Sequence, residues 1–192
     1  MSFVPAFKIG VWNSWVLIIP YLFVNFGLSS FFVRKKSAFW TFPSYTRLER
    51  IYLLIWYVIF GGLSIYSVFL PLAVGTVWFF TGLSVYLLGL AIITIAILAF
   101  ITTNVDKPNT TGLYRISRHP MCLGILLVYI GIGLASASWV YLLLALMCLA
   151  TYRNAFAIPE ERMCCERFSN AYREYMNRTP RWVGIPRAGS SK

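Results

Sequence analysis

The chain has 192 residues, which is the length of a single domain. Hydrophobic residues make up 59% of it and charged residues only 12%, whereas a soluble domain carries roughly a quarter charged residues. Because the apolar residues also come in long blocks, the composition excludes an ordinary soluble domain. The net charge of +11 does not indicate nucleic-acid binding, because the basic residues lie between apolar blocks, where loops meet lipid headgroups.

Five apolar blocks predict an all-α bundle of about five transmembrane helices, since about 20 apolar residues cross the hydrocarbon core. The first three blocks cover residues 12–33, 51–70 and 77–101. The fourth block, 121–135, is short, and the tripeptide Ser-Ala-Ser joins it to the fifth block, 139–158. We therefore expect the fourth and fifth blocks to form a close helical hairpin.

The fourth block contains Gly124, Gly131 and Gly133. Small residues in a membrane helix let a neighbouring backbone approach closely. These glycines therefore predict tight helix packing, although Gly124 also lies near a polar segment with a possible binding role.

The chain becomes charged after the fifth block. Phe168, Tyr172 and Tyr175 have helical spacing and predict an amphipathic surface helix over 160–178. Pro180 then ends regular structure. We expect this helix to lie on the cytoplasmic surface of the membrane.

The predicted organisation is a single membrane domain, 1–192. Residues 1–101 hold three spans, and residues 102–186 hold a functional region made of a loop, the hairpin and the surface helix. Residues 187–192 are predicted to be a flexible tail.

The basic residues also predict the orientation. With five spans, the loops after the first and third spans lie on the same side as the C-terminal region, and this side holds every lysine and arginine except Lys8. The positive-inside rule places that side in the cytoplasm and the N-terminus outside. All six acidic residues and the single histidine share that side, so we expect polar chemistry to be cytoplasmic.

Residues 112–124 read Gly-Leu-Tyr-Arg-Ile-Ser-Arg-His-Pro-Met-Cys-Leu-Gly. Pro120 suits the first turn of a helix, so Arg118 and His119 precede a helix N-terminus, which favours an anion. This predicts binding of a ligand carboxylate or phosphate; the alternative is that Arg115 and Arg118 hold the helix end to lipid phosphates. A single histidine offers too few ligands for zinc, and no metal is expected.

Glu160 and Glu161 begin the charged segment after the hairpin. Two carboxylates at a helix start complement the helix dipole. The functional alternative is that one of them faces a pocket and binds a cationic or hydroxyl-bearing group. Their position opposite the Arg-His-Pro segment, across one short hairpin, favours a pocket shared by both segments.

Together, the pattern Gly-x-Tyr-Arg-x-x-Arg-His-Pro-x-x-x-Gly, the hairpin and the following Glu-Glu-Arg resemble the isoprenylcysteine carboxyl methyltransferase family. These membrane methyltransferases have relatives among the phospholipid methyltransferases, and the likeness covers about residues 103–186. The resemblance implies a cytoplasmic-facing pocket for S-adenosylmethionine and an apolar route from the bilayer for a lipidic acceptor.

The resemblance also implies that residues of both segments bind the cofactor: Tyr114, Arg118, His119, Pro120, Gly124, Glu160, Glu161 and Tyr172. His119 at a helix N-terminus suits the cofactor's carboxylate. A glutamate and aromatic faces suit its amino group and sulfonium. Glu160, Glu161 and Arg153 are the candidate catalytic residues, which would orient the acceptor or take its proton.

Three positions depart from the pattern of that family. Cys122 stands where tyrosine is usual, and Ser169 stands where glycine is usual. Phe156 occupies the position of an arginine one turn before the Glu-Glu pair, and Arg153 lies three residues further upstream. The sequence therefore does not decide which arginine orients the substrate.

Two other functions fit parts of the pattern. Membrane sterol and steroid reductases, which use NADPH, share an Arg-His-Pro segment but are longer and have more spans. A non-enzymatic membrane scaffold would use the same segment only to cap a helix. The acceptor also stays open among a prenylated cysteine carboxylate, a phospholipid amine and a thiol, and so does the oligomeric state.

Overall fold

The computed structural model describes residues 9–28, 30, 43–103 and 106–184. The predicted tail, 187–192, lies outside these ranges. The main helices are α1 (Trp15–Leu22), α2 (Arg47–Phe69), α3 (Val77–Thr102), α4 (Pro120–Ala135), α5 (Trp139–Tyr152) and α6 (Ile158–Arg178). Shorter elements are the π-helical segments Phe23–Leu28 and Arg153–Ala157 and the 3-10 turn Gly112–Arg115.

The described part of the chain is helical throughout and contains no β-strand, apart from one isolated bridge between Asn13 and Pro71. Three helices are long and apolar enough to cross a membrane: α2, α3 and the continuous helix Trp139–Arg178. Trp15–Leu28 and Pro120–Ala135 are apolar but shorter. The predicted all-helical fold is thus confirmed, and the count of five spans stays a prediction.

The start of α2 differs from the prediction. The helix begins at Arg47 rather than at residue 51, because Thr46 and Glu49 form a capping box. The Thr46 N–H donates to Glu49 Oε2 (2.8 Å), and the Glu49 N–H donates to Thr46 Oγ1 (3.3 Å). A span predicted from apolar residues alone misses such a polar first turn.

The predicted hairpin is formed by α4 and α5. Ala137 turns the chain with a positive φ of 51°, and the Ser138 side chain caps α5 by accepting from the Tyr141 N–H (3.3 Å). A Cβ on Gly133 would lie 2.7 Å from Leu142 Cδ2. The glycine therefore allows the two helices to approach closely just before the turn.

The fifth block and the surface helix were predicted as separate helices, which is wrong. One helix extends over Trp139–Arg178, with a bend at Ser169, because the π-helical segment Arg153–Ala157 joins α5 to α6. Pro159 lies in the first turn after this segment. Its missing N–H is tolerated where the hydrogen-bond pattern changes from i→i+5 to i→i+4.

Glycines bring α3 and α4 into backbone contact. A Cβ on Gly82 would lie 2.2 Å from the backbone nitrogen of Ala135 and 2.5 Å from the carbonyl oxygen of Gly131. Two turns further along α3, a Cβ on Gly89 would lie 2.8 Å from the carbonyl oxygen of Gly124. The packing role predicted for Gly124 and Gly131 is therefore confirmed.

Polar groups fasten α1 to the rest of the bundle. The Ser14 N–H donates to the Leu70 carbonyl (2.8 Å), at the end of α2. The Tyr86 hydroxyl of α3 donates to the Leu17 carbonyl (2.7 Å) and is buried. Because a membrane interior offers no water to such groups, each of these bonds also fixes the position of a helix.

The helix α6 bends at Ser169, whose backbone has φ 47° and ψ −121°. This left-handed region favours glycine, because the Cβ of any other residue crowds the backbone there. Ser169 is the position at which the family resemblance implies a glycine. The chain therefore carries local backbone strain in the helix that holds Glu160 and Glu161.

We expect Gly82→Ala to lower the free energy of unfolding by about 1–3 kcal/mol, because the added methyl group clashes with the backbone of α4. Gly62→Ala is the matched control, since no atom lies within 4 Å of a Cβ placed there. The measurement is thermal unfolding in detergent, followed by tryptophan fluorescence. Equal melting temperatures for the two variants would contradict the close contact of α3 and α4.

Ser169→Gly is expected to raise the free energy of unfolding by about 1 kcal/mol, because glycine adopts this backbone conformation without crowding. Asn170→Gly, at the next and equally exposed position, is expected to lower it by roughly 0.5–1 kcal/mol, as glycine does inside a helix. The same unfolding assay measures both. A loss of stability in both variants would show that Ser169 is not strained.

Candidate functional site

The segment after α6 folds back onto the Arg-His-Pro loop. The Arg118 N–H donates to the Pro180 carbonyl (3.1 Å), and Ser117 Oγ donates to the Arg181 carbonyl (3.2 Å). Ser117 Oγ also accepts from the His119 N–H (3.1 Å). These backbone bonds place the Arg181 side chain beside the loop that precedes α4.

His119 lies between the two glutamates of α6. Its Nε2 is 3.2 Å from Glu161 Oε1, and its Nδ1 is 3.3 Å from Glu160 Oε2. The imidazole is buried at the N-terminus of α4, while both glutamates belong to the first turn of α6. The structure thus brings together three of the predicted site residues from the two ends of the hairpin.

Glu161 is buried and shared by three cationic side chains. Arg181 Nε donates to Oε1 (3.0 Å) and Arg181 Nη2 donates to Oε2 (2.6 Å). Arg118 Nη1 lies 3.1 Å from Oε1, the oxygen that also contacts His119. Every contact of this carboxylate is therefore to another residue of the cluster, which gives Glu161 a structural role at the site.

The charges of the cluster set the protonation of Glu161. Burial raises the pKa of the carboxyl group, but hydrogen bonds from His119 and Arg181 and the charges of Arg118 and Arg181 outweigh burial and bring the pKa to about 2. Glu161 is therefore ionised at any physiological pH. It balances part of the positive charge that surrounds it.

The pKa of His119 shifts in the opposite direction to that of Glu161. Burial lowers the pKa of the imidazole, but hydrogen bonds to Glu160 and Glu161 and the charges of both carboxylates outweigh burial, so the pKa lies above its ordinary value. A protonated imidazole donates from both nitrogens. This matches the two carboxylates, one on each side of the ring.

The cluster keeps free hydrogen-bonding capacity. The Glu160 side chain is 44% exposed, in contrast to 9% for Glu161, and only its Oε2 contacts His119. Arg118 Nε is buried and has no hydrogen-bond partner among the described residues. An exposed carboxylate and an unused buried N–H donor within one cluster suit a ligand with both a positive and a negative group.

Two aromatic rings form a wall beside the histidine. The ring centroids of Tyr152 and Trp182 lie 6.3 Å and 6.1 Å from that of His119, and 6.4 Å from each other. Aromatic faces attract cations, including sulfonium-type groups. Trp182 reaches this position because the segment after α6 folds back.

Two tyrosines that were predicted as site residues, Tyr114 and Tyr172, lie near the glutamates. The Tyr175 hydroxyl donates to the Tyr114 carbonyl (2.6 Å), and the rings of Tyr172 and Tyr175 lie 5.6 Å apart. Burial raises the pKa of Tyr114, and the nearby charge of Glu160 raises it further. Burial likewise raises the pKa of Tyr172, which also feels the charge of Glu161. Both tyrosines are therefore protonated neighbours of the cluster.

Three predicted site residues have no polar contact with the cluster in the described structure. Gly124 packs against α3, where a Cβ would meet Ile93 Cγ1 at 2.5 Å. Pro120 is the first, buried residue of α4. Arg153 is exposed and forms neither an ion pair nor a hydrogen bond with the described residues. The cofactor and catalytic roles of all the predicted site residues, these three included, stay predictions.

Sequence reasoning missed the Glu49–Arg162 pair. Arg162 Nη1 and Nη2 donate to Glu49 Oε1 and Oε2, both at 2.9 Å, and Arg162 also donates to the Ser44 carbonyl. Because Arg162 follows Glu161 in α6, this pair ties the start of α2 to the site. The available signal was that Glu49 is the only acidic residue before Asp106.

Residues 98–171 match the family model described as phospholipid methyltransferase. The match covers less than half of the chain and includes His119, Glu160 and Glu161 but not Arg181. No curated protein and no solved structure gave a significant match. This match and the three helices able to span a membrane together indicate an integral membrane protein. It confirms the resemblance found in the Arg-His-Pro and Glu-Glu segments: residues 98–171 carry the pattern of the phospholipid methyltransferase family.

Proposed function

We propose that the protein is an S-adenosylmethionine-dependent methyltransferase that acts on a lipidic or membrane-partitioned acceptor. The observation that carries the proposal is the contact of His119 with Glu160 and Glu161 at one end of an apolar helix bundle. All three residues lie in the segment that matches a methyltransferase family.

The chemistry of the cluster fits this cofactor. Arg118 Nε, a buried donor without a partner, suits its carboxylate, and the exposed carboxylate of Glu160 suits its amino group. The rings of Tyr152 and Trp182 suit its sulfonium. When bound, S-adenosylmethionine would supply a methyl group activated by that positive sulfur.

The residues of the cluster then have different roles. Glu161 holds Arg118, Arg181 and His119 in place and acts as a positioning residue. Glu160 binds the cofactor or, for an amine or thiol acceptor, takes the proton that the acceptor loses. Arg153 remains our proposal for the arginine that orients the acceptor. Methyl transfer needs alignment and exclusion of water, and the buried surroundings of His119 favour both.

The acceptor would reach the site from the bilayer. An apolar cavity lies between α2, α4 and α5, and Tyr152 lines it as well as the cluster. With a volume of about 20 Å³, this cavity is too small for an acyl chain, so the apolar route for the acceptor rests on the family resemblance alone. We propose five spans with the N-terminus outside, so that residues 102–186 form a cytoplasmic-facing catalytic region. A prenylated cysteine carboxylate, a phospholipid amine and a thiol are the acceptor classes to screen.

Calorimetric titration of the detergent-purified protein is expected to show micromolar binding of S-adenosylhomocysteine and none of NADPH. Glu160→Gln and His119→Ala should each weaken this binding by roughly tenfold or more, because each removes a charged hydrogen-bonding group. Glu174→Gln, at an exposed position of α6, is the matched control and should bind normally.

Binding of NADPH alone would replace the proposal with a reductase, and binding of neither ligand would favour a scaffold. Full affinity in both folded variants would show that Glu160 and His119 do not hold the cofactor. Circular dichroism of each variant establishes that it is folded.

The raised pKa of His119 predicts a pH-dependent stability. A group whose folded-state pKa is raised contributes stability that is complete below its unfolded pKa, about 6.5, and is lost as the pH rises through the folded value. The contribution of Glu161, whose pKa is about 2, is lost only in strong acid. We therefore expect the melting temperature to fall as the pH rises above about 6.5, and His119→Gln to flatten this slope. An unchanged slope in that variant would assign the titration to another group.

A further inference from the structure

One face of α2 carries two arginines followed by exposed apolar side chains. Arg47, Arg50, Ile51 and Leu54 line an open groove. Their spacing of i, i+3, i+4 and i+7 places all four on the same side of the helix. The surface of the groove is almost wholly apolar, so the arginines line it with their aliphatic stems and their guanidinium groups lie at its edge.

The same face continues along the helix, and no element among the described residues covers it. Val58 and Ile65 are both 66% exposed. Between them, no atom lies within 4 Å of a Cβ placed on the exposed Gly62. From Arg47 to Gly62 the helix rises by about 22 Å at 1.5 Å per residue. This exceeds the ~15 Å of one leaflet's hydrocarbon layer.

No described residue neutralises the two arginines. Both are exposed, and within the described ranges neither forms an ion pair or a hydrogen bond. The nearest carboxylate in the sequence, Glu49, is buried and held by both terminal nitrogens of Arg162. The start of α2 therefore presents two free guanidinium groups next to an apolar surface.

We propose that this face of α2 binds one anionic phospholipid. Arg47 and Arg50 would bind its phosphate through charge-assisted hydrogen bonds, while an acyl chain lies along Leu54, Val58 and Gly62. Basic residues at a membrane surface attract anionic lipids for the same electrostatic reason. This site is separate from the His119 cluster, and the inference does not rest on the proposed methyltransferase activity.

Other occupants fit this face less well. Free phosphate would use the arginines but leave the apolar floor uncovered. A second copy of the chain, packed symmetrically through this face in the same membrane, would bring four arginines together, which like-charge repulsion opposes. An anionic lipid satisfies both ends of the groove.

The test is native mass spectrometry of the full chain in detergent, titrated with phosphatidylglycerol or phosphatidylcholine of identical acyl chains. We expect phosphatidylglycerol to bind roughly tenfold tighter. Arg47→Gln/Arg50→Gln should remove this preference. Arg173→Gln/Arg178→Gln, a pair of equal charge at exposed positions of α6, should keep it.

Gly62→Phe places a bulky side chain on the apolar face beyond the groove, where the acyl chain would lie, so it should weaken the binding of phosphatidylglycerol although both guanidinium groups remain. Equal binding of the two lipids by the unmodified protein, or a preference that survives loss of both arginines, would overturn the proposal. So would displacement of the lipid by inorganic phosphate. Light scattering provides the last check, because a dimer that Gly62→Phe dissociates would assign this face to a second copy.

Discussion

The buried carboxylate of Glu161 is the group around which the functional end of the molecule is arranged. Removing a carboxylate from water costs several kcal/mol unless charged partners surround it, and here Arg118, His119 and Arg181 do so. These partners come from the loop before α4 and from the segment after α6, so the one carboxylate joins these two segments. Because Glu161 is fully engaged, its neighbour Glu160 remains the carboxylate that faces outward.

The geometry of this cluster also depends on uncharged contacts deeper in the bundle. Membrane helices gain little from the hydrophobic effect when they associate, so close packing must hold them together. Gly82 and Gly131 provide that contact between α3 and α4. Since His119 is the residue that precedes α4, the position of the imidazole follows from the seating of α4 on α3. A methyl group added at a glycine far from the site would therefore displace the site itself.

Local patterns in the sequence predicted the helices, the α4–α5 hairpin and the two segments that meet at His119, because apolar length, turn residues and helix-start signals act over a few neighbouring residues. Arg181 could not be predicted in this way. Its position depends on the hydrogen bonds of the Ser117 hydroxyl and the Arg118 N–H to the carbonyls of Arg181 and Pro180, in a segment where Pro180 indicated only the end of regular structure. The continuity of α5 with α6 was missed for a related reason. A proline is tolerated beside a π-helical turn, and the spacing of apolar residues does not predict such a turn.

The first turn of α2 connects the site to the membrane surface. Glu49 points inward to Arg162 of α6, whereas Arg47 and Arg50 on the same turn are exposed. In the proposed arrangement, α2 holds α6 with one face and, among the described residues, carries unpaired positive charge on the other, which would fix the height of the site relative to the lipid headgroups. An enzyme with a membrane-borne acceptor needs such a fixed height, because the reacting group of a lipid lies at a defined depth in the bilayer. Glu49 at this turn thus holds α6, and under our proposal the two arginines place the site in the membrane.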